Sequence, residues 1–465
     1  MHYIYEETQT LDERAYTTFG LNPEILMEHA GSALAKAVKK KLTCQQKALF
    51  VCGVGNNGAD GMVAARLLHG ANNVSLYLPF PPKSSLAKLQ LKRAMQAGVP
   101  IVENLIDADV YVDALFGAGL NRPLDGFTCN LIDALNAKEG YKIACDMPSG
   151  IVNDLSLSST IFNAHETITM GALKLCLFHD ALKDSVGKIK VAPLGLSRNL
   201  YALPSPFYLL QKNELKLPLR TKKNCNKGTF GHVAIVQGNK EGAALLAGMG
   251  AFHFGAGLVT LLGERKRKTP PYLIQASTLP KKSSVIVAGM GLEMPFDTVW
   301  LRHLLLENTL PLVIDASLCH HELMLELLAS KKPLVLTPHP KEFSSIWHFT
   351  CNEKVSVEQI QANRFFYAKT FSKRFPHITL LLKGANTIIA HQGELYINTY
   401  GTPALAKGGS GDVLAGMIGA LIAQGYSLKE ATIHASLAHA LASKKLTCNT
   451  FAFTPIDICK GLKCL

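Results

Sequence analysis

Two α/β domains, each a largely parallel sheet covered by helices, are the fold this sequence predicts. Three observations carry that expectation. The chain has 465 residues, more than one ordinary core serves, so two or three domains are expected. Strand-like and helix-like segments alternate along the first half, and the alternation restarts after Asn226. Glycine-rich turns lead into helix patterns at residues 52–61 and 407–416, as in doubly wound sheets that bind ligands at strand ends.

Asn22 reads as an N-cap with Pro23 in the first turn, opening a helix that runs to about Lys40. Residues 48–52 are a short apolar run ending at Gly53, which reads as a buried strand, and a helix is expected from Asp60 to about His69. Segments 74–78, 99–102, 110–114, 143–145 and 167–170 read as further strands. Residues 203–226 read as a joint, because Pro204, Pro206 and Pro218 precede a polar stretch at 221–224. The domains are therefore placed at 1–210 and 225–465, with 211–224 as linker. Beyond it, 233–236, 285–288, 312–315, 334–336 and 379–382 read as strands, and 411–424 and 428–446 as closing helices.

Hydrophobic residues make up 48% of the chain and charged ones 18%, which suits large buried cores and argues against disorder. The first residues carry Glu6, Glu7, Asp12 and Glu13 and no apolar signal-peptide core. The apolar stretches 249–263 and 413–423 are too short or too interrupted to span a bilayer. A soluble, cytoplasmic protein with no membrane partner is expected. Eleven scattered cysteines without a Cys-x-x-Cys pair support neither a zinc ribbon nor a thioredoxin-type centre. The net charge of +13 suits an anionic partner. The basic runs 39–41 and 265–268 lack interleaved aromatic residues, so no nucleic acid is expected; a dinucleotide needs positive potential too.

The first chemical segment is Gly53-Val54-Gly55-Asn56-Asn57-Gly58-Ala59-Asp60-Gly61, between a strand and a helix. Its glycines let backbone approach a ligand, and a helix N-terminus offers N–H groups to a phosphate. Its Asn and Asp residues supply oxygen for a ribose, an amide or a cation. Two more strands end in Asp113-Ala114-Leu115-Phe116-Gly117 and Asp146-Met147-Pro148-Ser149-Gly150. Singly, each Asp reads as a turn or capping residue. Together, the three strand ends are expected to converge on one crevice.

On these segments, and on Leu11-Asp12-Glu13-Arg14-Ala15 and Leu26-Met27-Glu28-His29-Ala30-Gly31, residues 1–210 resemble the NAD(P)HX epimerase family, with a Rossmann-like three-layer αβα sandwich. Ala59 stands where the family's motif usually has glycine. The resemblance implies substrate contacts from Asn56, Asn57, Gly58, Ala59 and Asp60. It implies further contacts from Gly117, Ala118, Gly119, Leu120, Asn121, Arg122 and Pro123, and from Asp146. Asn57, Asp113 and Ser149 match positions that bind potassium ion, and all three offer hard oxygen ligands. The implied substrate is a reduced nicotinamide hydrated at ring carbon 6. That carbon is a hemiaminal, so its stereochemistry exchanges by ring opening or hydroxyl loss. A proton shuttle is needed, and Asp146 is the expected acid/base group.

The second chemical segment is Lys407-Gly408-Gly409-Ser410-Gly411-Asp412. Its glycines can wrap a phosphate at a helix N-terminus, and Asp412 in the first turn can deprotonate a hydroxyl that attacks a phosphoryl group. Read blandly, Asp412 is a favourable first-turn charge. The motif resembles the ribokinase-like αβα fold. Lys227-Gly228 with Gly231-His232, Gly289-Met290-Gly291-Leu292, Thr337-Pro338-His339-Pro340-Lys341-Glu342 and Lys383-Gly384-Ala385-Asn386-Thr387 narrow the resemblance to the NAD(P)H-hydrate dehydratases over 225–465. Lys341 replaces the family's glycine, and the loop 237–244 is shorter than theirs.

That resemblance implies that Lys383, Gly384, Ala385, Asn386, Thr387 and Gly411 bind the adenine nucleotide, while Ala243, Gly291, His339 and Asp412 bind the hydrated cofactor. A ring hydroxyl leaves poorly. Phosphoryl transfer from ADP or ATP makes phosphate the leaving group, and elimination restores the dihydropyridine, with magnesium accompanying the nucleotide. These residues do not choose between ADP and ATP. Two other readings compete: a ribokinase-like small-molecule kinase with an appended nucleotide-binding domain, and a non-enzymatic dimerising scaffold like relatives of the first domain in RNA decapping. The His339 segment weighs against the first, and the joint presence of Asn57, Asp113, Asp146 and Ser149 against the second. A homo-oligomer is expected.

Overall fold

The computed structural model describes residues 1–43, 45–152, 160–264, 269–293, 296–351, 353–446 and 449–465. The basic run 265–268 lies outside the described residues. The chain divides into two compact units, Tyr3–Ser205 and Pro206–Leu465, the latter joined by Met1–His2.

In the first unit the short strand β1 (His2–Tyr5) precedes a seven-stranded sheet made of β2 (Lys47–Cys52), β3 (Asn73–Tyr77), β4 (Ile101–Val102), β5 (Val110–Ala114), β6 (Tyr141–Cys145), β7 (Glu166–Met170) and β9 (Lys188–Ala192), with β8 (Leu173–Lys174) pairing parallel to β1. The sheet order is β4-β3-β2-β5-β6-β7-β9, parallel throughout. The central strands β2, β5 and β6 are buried along nearly their whole length, as in a sheet covered on both faces, whereas the edge strand β9 is largely half-exposed. Leu34, Phe50 and Met62 pack in one cluster, and Leu49, Tyr111 and Ile132 in another. Asn22 caps the helix Pro23–Lys39 by accepting the Ile25 N–H at 2.9 Å.

The helix after β2 begins at Asn56, not Asp60, and runs to Leu68. The reason is close packing. A side chain on Gly58 would meet the Gly53 carbonyl at 2.1 Å, and one on Gly61 would meet Cys52 Sγ at 2.9 Å. Those two glycines seat the first helical turns against the strand ends, and the phosphate-type loop shrinks to residues 53–55.

In the second unit ten strands form a sheet in the order β13-β12-β11-β14-β15-β16-β17-β18-β19-β10. They are β10 (Phe207–Leu209), β11 (His232–Val236), β12 (Leu258–Leu262), β13 (Ile274–Ala276), β14 (Val285–Ala288), β15 (Leu312–Ile314), β16 (Leu334–Leu336), β17 (Ile378–Leu382), β18 (Thr387–His391) and β19 (Glu394–Asn398). Pairing is parallel from β13 to β17, then antiparallel through the β18–β19 hairpin. The prolines at 204 and 206 lead directly into β10, which lies parallel to β19, so the joint read at 203–226 contains a strand of this sheet. The helices Glu241–His253 and Ser410–Ala423 cross closely: a side chain on Gly416 would meet the Ala247 carbonyl at 1.9 Å. The last long helix, Leu428–Ala442, stops four residues short of its expected end. Among the described residues no helix is long and apolar enough to cross a membrane.

Candidate active sites

The polar strand ends of the first unit meet at a cavity of about 810 Å³. Asn56, Asn57 and Asp60 line it from the helix start, residues 117–122 from the loop after β5, and Asp146 from the end of β6. Gly58 and Ala59 are buried inside the helix, and Pro123 stands outside the lining. Asp113 and Ser149 lie behind it. Asp113 accepts the Ser149 hydroxyl at 2.6 Å and the Ser149 and Leu115 N–H groups at 2.7 and 3.1 Å. Burial pushes its carboxyl up to about 6 against those hydrogen bonds.

Asp146 has φ +65°, a left-handed conformation costly for a residue with a side chain. The turn is held from several sides. Asp146 N–H donates to the Ile168 carbonyl at 2.8 Å; Oδ1 accepts the Met170 N–H at 3.1 Å and the Lys174 ammonium at 2.5 Å; Oδ2 accepts the Ala118 N–H at 3.1 Å. A side chain on Gly117 would meet Asp146 Oδ2 at 2.9 Å and Asn57 Oδ1 at 3.1 Å, so glycine is what lets all three share the site. The amide nitrogen and oxygen of Asn57 are buried with no hydrogen-bond partner among the described residues. Burial, followed by the Asp146 and Asp12 carboxylates, drives Asp60 well above the usual carboxylate range.

Sequence reasoning missed Glu6, Thr8, Lys174 and Cys176 as lining residues. Lys174 was findable: it is the one charge in the apolar run 172–178.

In the second unit Asp412 occupies the first turn of the helix Ser410–Ala423, whose N-cap Gly409 has φ +94°. A side chain there would also meet Leu246 Cδ1 at 2.5 Å, so the turn admits glycine alone. The buried His439 fixes Ser410: its Nε2–H donates to the Ser410 carbonyl at 3.0 Å, and burial pushes the imidazole down to about 4. Lys383 Nζ lies 2.5 Å from Asp315 Oδ1, and a side chain on Gly411 would meet that ammonium at 3.1 Å. Burial acts to lower Lys383, but the Asp315 and Glu342 charges outweigh it and the net shift is upward. Burial, then the charges of Asp315 and Glu342, opposed by Lys383, push Asp412 up to about 6.

The segment 383–387 is a tight turn from β17 into β18, with Thr387 already in strand. Arg364, buried, donates to the carbonyls of Leu382, Lys383 and Asn386 at 3.0–3.1 Å and shapes that turn. His339 caps the helix Pro340–Cys351: its Nδ1 accepts the Glu342 N–H at 3.3 Å, its own N–H donates to Glu342 Oε2 at 2.8 Å, and its Nε2 lies 3.1 Å from Glu342 Oε1. Ala243 and Gly291 come together on Lys240, whose carbonyl accepts the Ala243 N–H at 3.1 Å while its N–H donates to the Gly291 carbonyl at 3.0 Å. A separate hollow of about 280 Å³ is lined by Gly238, Leu292 and Trp300 and includes none of Ala243, Gly291, Asp412 and Lys383. Asp315 is the functional-type residue that sequence reasoning passed over. Like Asp146, it follows a buried strand.

A doubly wound unit with a cavity at its strand ends, followed by a second α/β unit with a glycine turn and a raised carboxyl, defines a two-site α/β enzyme. Residues 233–463 match the family model described as NAD(P)H-hydrate dehydratase, and residues 23–176 match the YjeF-related protein N-terminus. The bifunctional NAD(P)H-hydrate repair enzyme Nnr of Helicobacter pylori is 39% identical over 99% of this chain and 99% of its own. That of Coxiella burnetii is 32% identical over 96% and 95%. An ADP/ATP-dependent NAD(P)H-hydrate dehydratase from Bacillus subtilis, crystallised with ATP and magnesium, superposes on 55% of this chain and 96% of its own at TM-score 0.47 and 26% identity. The chain belongs to the family of bifunctional NAD(P)H-hydrate repair enzymes.

Proposed function

We propose that the first unit interconverts the R and S epimers of NAD(P)H hydrate and that the second dehydrates the S epimer to NAD(P)H, with ADP or ATP giving AMP or ADP and phosphate. One observation supports this best: a single chain, matching the repair family along 99% of its length, carries two separate strand-end sites, each with a carboxyl pushed up to about 6. The domains are assigned as 1–210 epimerase and 225–465 dehydratase.

In the epimerase unit the substrate lies in the cavity against Asn56, Asn57, Asp60 and residues 117–123, and Asp146 takes the proton of the ring hydroxyl. The unpartnered amide of Asn57 fits a potassium ion shared with Asp113 and Ser149, since all three flank the segment 115–117. When bound, that ion would supply fixed positive charge to the site. In the dehydratase unit the turn 383–387 and Gly411 hold the nucleotide, Ala243, Gly291 and His339 hold the hydrate, and Asp412 deprotonates the hydroxyl as it attacks phosphorus. Magnesium would accompany the nucleotide phosphates. The protein is placed in the cytoplasm as a homo-oligomer, without nucleic acid or membrane.

The test is direct. Purified protein is mixed with both NADHX epimers, and dihydronicotinamide absorbance is followed with ADP, with ATP and with neither. Nucleotide-dependent recovery from both epimers is the expected result. A stable phosphorylated product without recovered NADH would favour the kinase reading instead.

A further inference from the structure

A second charged side chain, Lys174, stands beside Asp146 at the cavity of the first unit. Lys174 lines the cavity, yet its side chain is only 4% exposed. It stands in β8, held by parallel pairing to β1 with Tyr5 opposite Lys174. Its ammonium has three donors, and all three meet acceptors: Asp146 Oδ1 at 2.5 Å, Thr169 Oγ1 at 3.1 Å and the Met170 carbonyl at 3.3 Å. The same Asp146 carboxylate already receives two backbone N–H groups. A buried ion pair adds little net stability over apolar packing, so a pair kept at the wall of a ligand cavity points to chemistry.

Resting on the epimerase reading, we infer that Lys174 is a catalytic residue: it gives a proton to the ring nitrogen of the hydrate while Asp146 takes one from the ring hydroxyl, so that epimerisation proceeds by ring opening. Asp146 removes the hydroxyl proton, and the oxygen electrons form the C6=O double bond. The C6–N1 bond breaks, its electrons pass to N1, and N1 takes a proton from the Lys174 ammonium. Without that proton the nitrogen would leave as an anion. The two side chains are now a neutral amine and a neutral carboxylic acid, 2.5 Å apart in the resting geometry, and transfer of one proton across that contact restores the pair. Rotation about the C5–C6 bond and closure on the other face, by the reverse steps, gives the other epimer. The longest of the three lysine contacts, to the Met170 carbonyl, is the one a ring nitrogen would displace.

Lys174→Arg separates this role from a structural one. Arginine keeps the positive charge and the pairing with Asp146 but does not give up its proton. The full-length variant is expected to keep its substrate KM within a few-fold while kcat for epimerisation falls by about 100-fold or more. Lys174→Gln should lose the same rate and raise KM as well. Full epimerase activity in the arginine variant would overturn the inference. A second measurement needs no variant: single-turnover epimerisation by the unaltered enzyme in heavy-oxygen water. Ring opening with rapid reclosure keeps the original oxygen on carbon 6, and that retention is expected. Stoichiometric exchange with solvent would mean loss of the hydroxyl as water and would overturn the ring-nitrogen route. If the unaltered enzyme does not interconvert the epimers at all, the epimerase reading itself has failed.

Discussion

The Lys383 ammonium sits 2.5 Å from Asp315 Oδ1, next to Gly411, so the turn 383–387 and the end of β15 meet in one ion pair. The pair has two consequences for the dehydratase unit. It fixes the one cation that the resemblance assigns to nucleotide binding. Its carboxylate is also among the charges that raise Asp412.

Asp315→Asn tests both. The Lys383 charge is left without its counter-ion, and because its side chain is 23% exposed the loss is expected to be about 1–3 kcal/mol, below that of a fully buried pair. The apparent KM for ADP or ATP should rise by about 10-fold. The pH at which dehydration reaches half its maximum should move down, since one negative neighbour of Asp412 is gone. An unchanged pH midpoint would show that Asp315 does not act on Asp412.

Asp146→Asn keeps the shape of the strained turn and most of its hydrogen bonds. The variant should be less stable, because the buried Lys174 loses its counter-ion, and the folded protein should lose about 100-fold or more of its R-to-S conversion, the scale of a missing proton-transfer group. Dehydration of the S epimer should not change. Epimerisation at the unaltered rate would remove Asp146 from the role of base.

Potassium dependence is expected to follow Asn57, Asp113 and Ser149. Asp113→Ala removes the carboxylate that receives the Ser149 hydroxyl at 2.6 Å. It should raise the potassium concentration for half-maximal epimerisation by about 10-fold, with a smaller effect on kcat at saturating salt. Equal activity in sodium and potassium for the unaltered enzyme would dismiss the ion. Asp113 is held near 6 and above its unfolded value, so its contribution to stability is complete below that unfolded value and fades as pH rises through 6.

How much of this was legible in the sequence depends on the kind of residue. Strands β14 and β16 match their apolar runs end for end, because a parallel strand buried on both faces leaves no polar interruption, and β5 matches its expected span with Asp113 as its single polar residue near the end. The Asp113 and Asp146 strand ends were readable for the same reason: a carboxylate closing an apolar run stands out. Lys174 and Asp315 obey that logic too, but Lys174 lies inside an apolar run and Asp315 is followed by no glycine turn, so neither carried a motif. Strand β12 was hidden because residues 249–263 are apolar through the end of a helix, a turn and the strand, and composition alone does not mark the breaks. The start of the helix at Asn56 was missed because glycines discourage helices locally, while close contact with Gly53 and Cys52 rewards them here.

Asp412→Asn tests the two-site reading as a whole. Asparagine is nearly isosteric and removes the base, so nucleotide-dependent recovery of NAD(P)H should fall by roughly 100- to 10,000-fold. Nucleotide binding should largely persist through Lys383 and the turn at 408–411. With Asp412 held at about 6, dehydration by the unaltered enzyme should climb as pH rises through that value and level off above it. The sign for stability is opposite. A carboxyl raised on folding stabilises the native state fully below its unfolded value, and that contribution is lost as pH rises through about 6. The variant should therefore gain about 1–3 kcal/mol on the unaltered protein near pH 8 and little near pH 4, measured by chemical denaturation. Epimerisation should be untouched, since it is assigned to the other unit. Mixing this variant with Asp146→Asn should restore conversion of both epimers, because the S form made by one protein diffuses to the other. Loss of epimerisation in folded Asp412→Asn would mean that the two activities are not housed separately, and intact dehydration would reduce Asp412 to a helix-terminus charge.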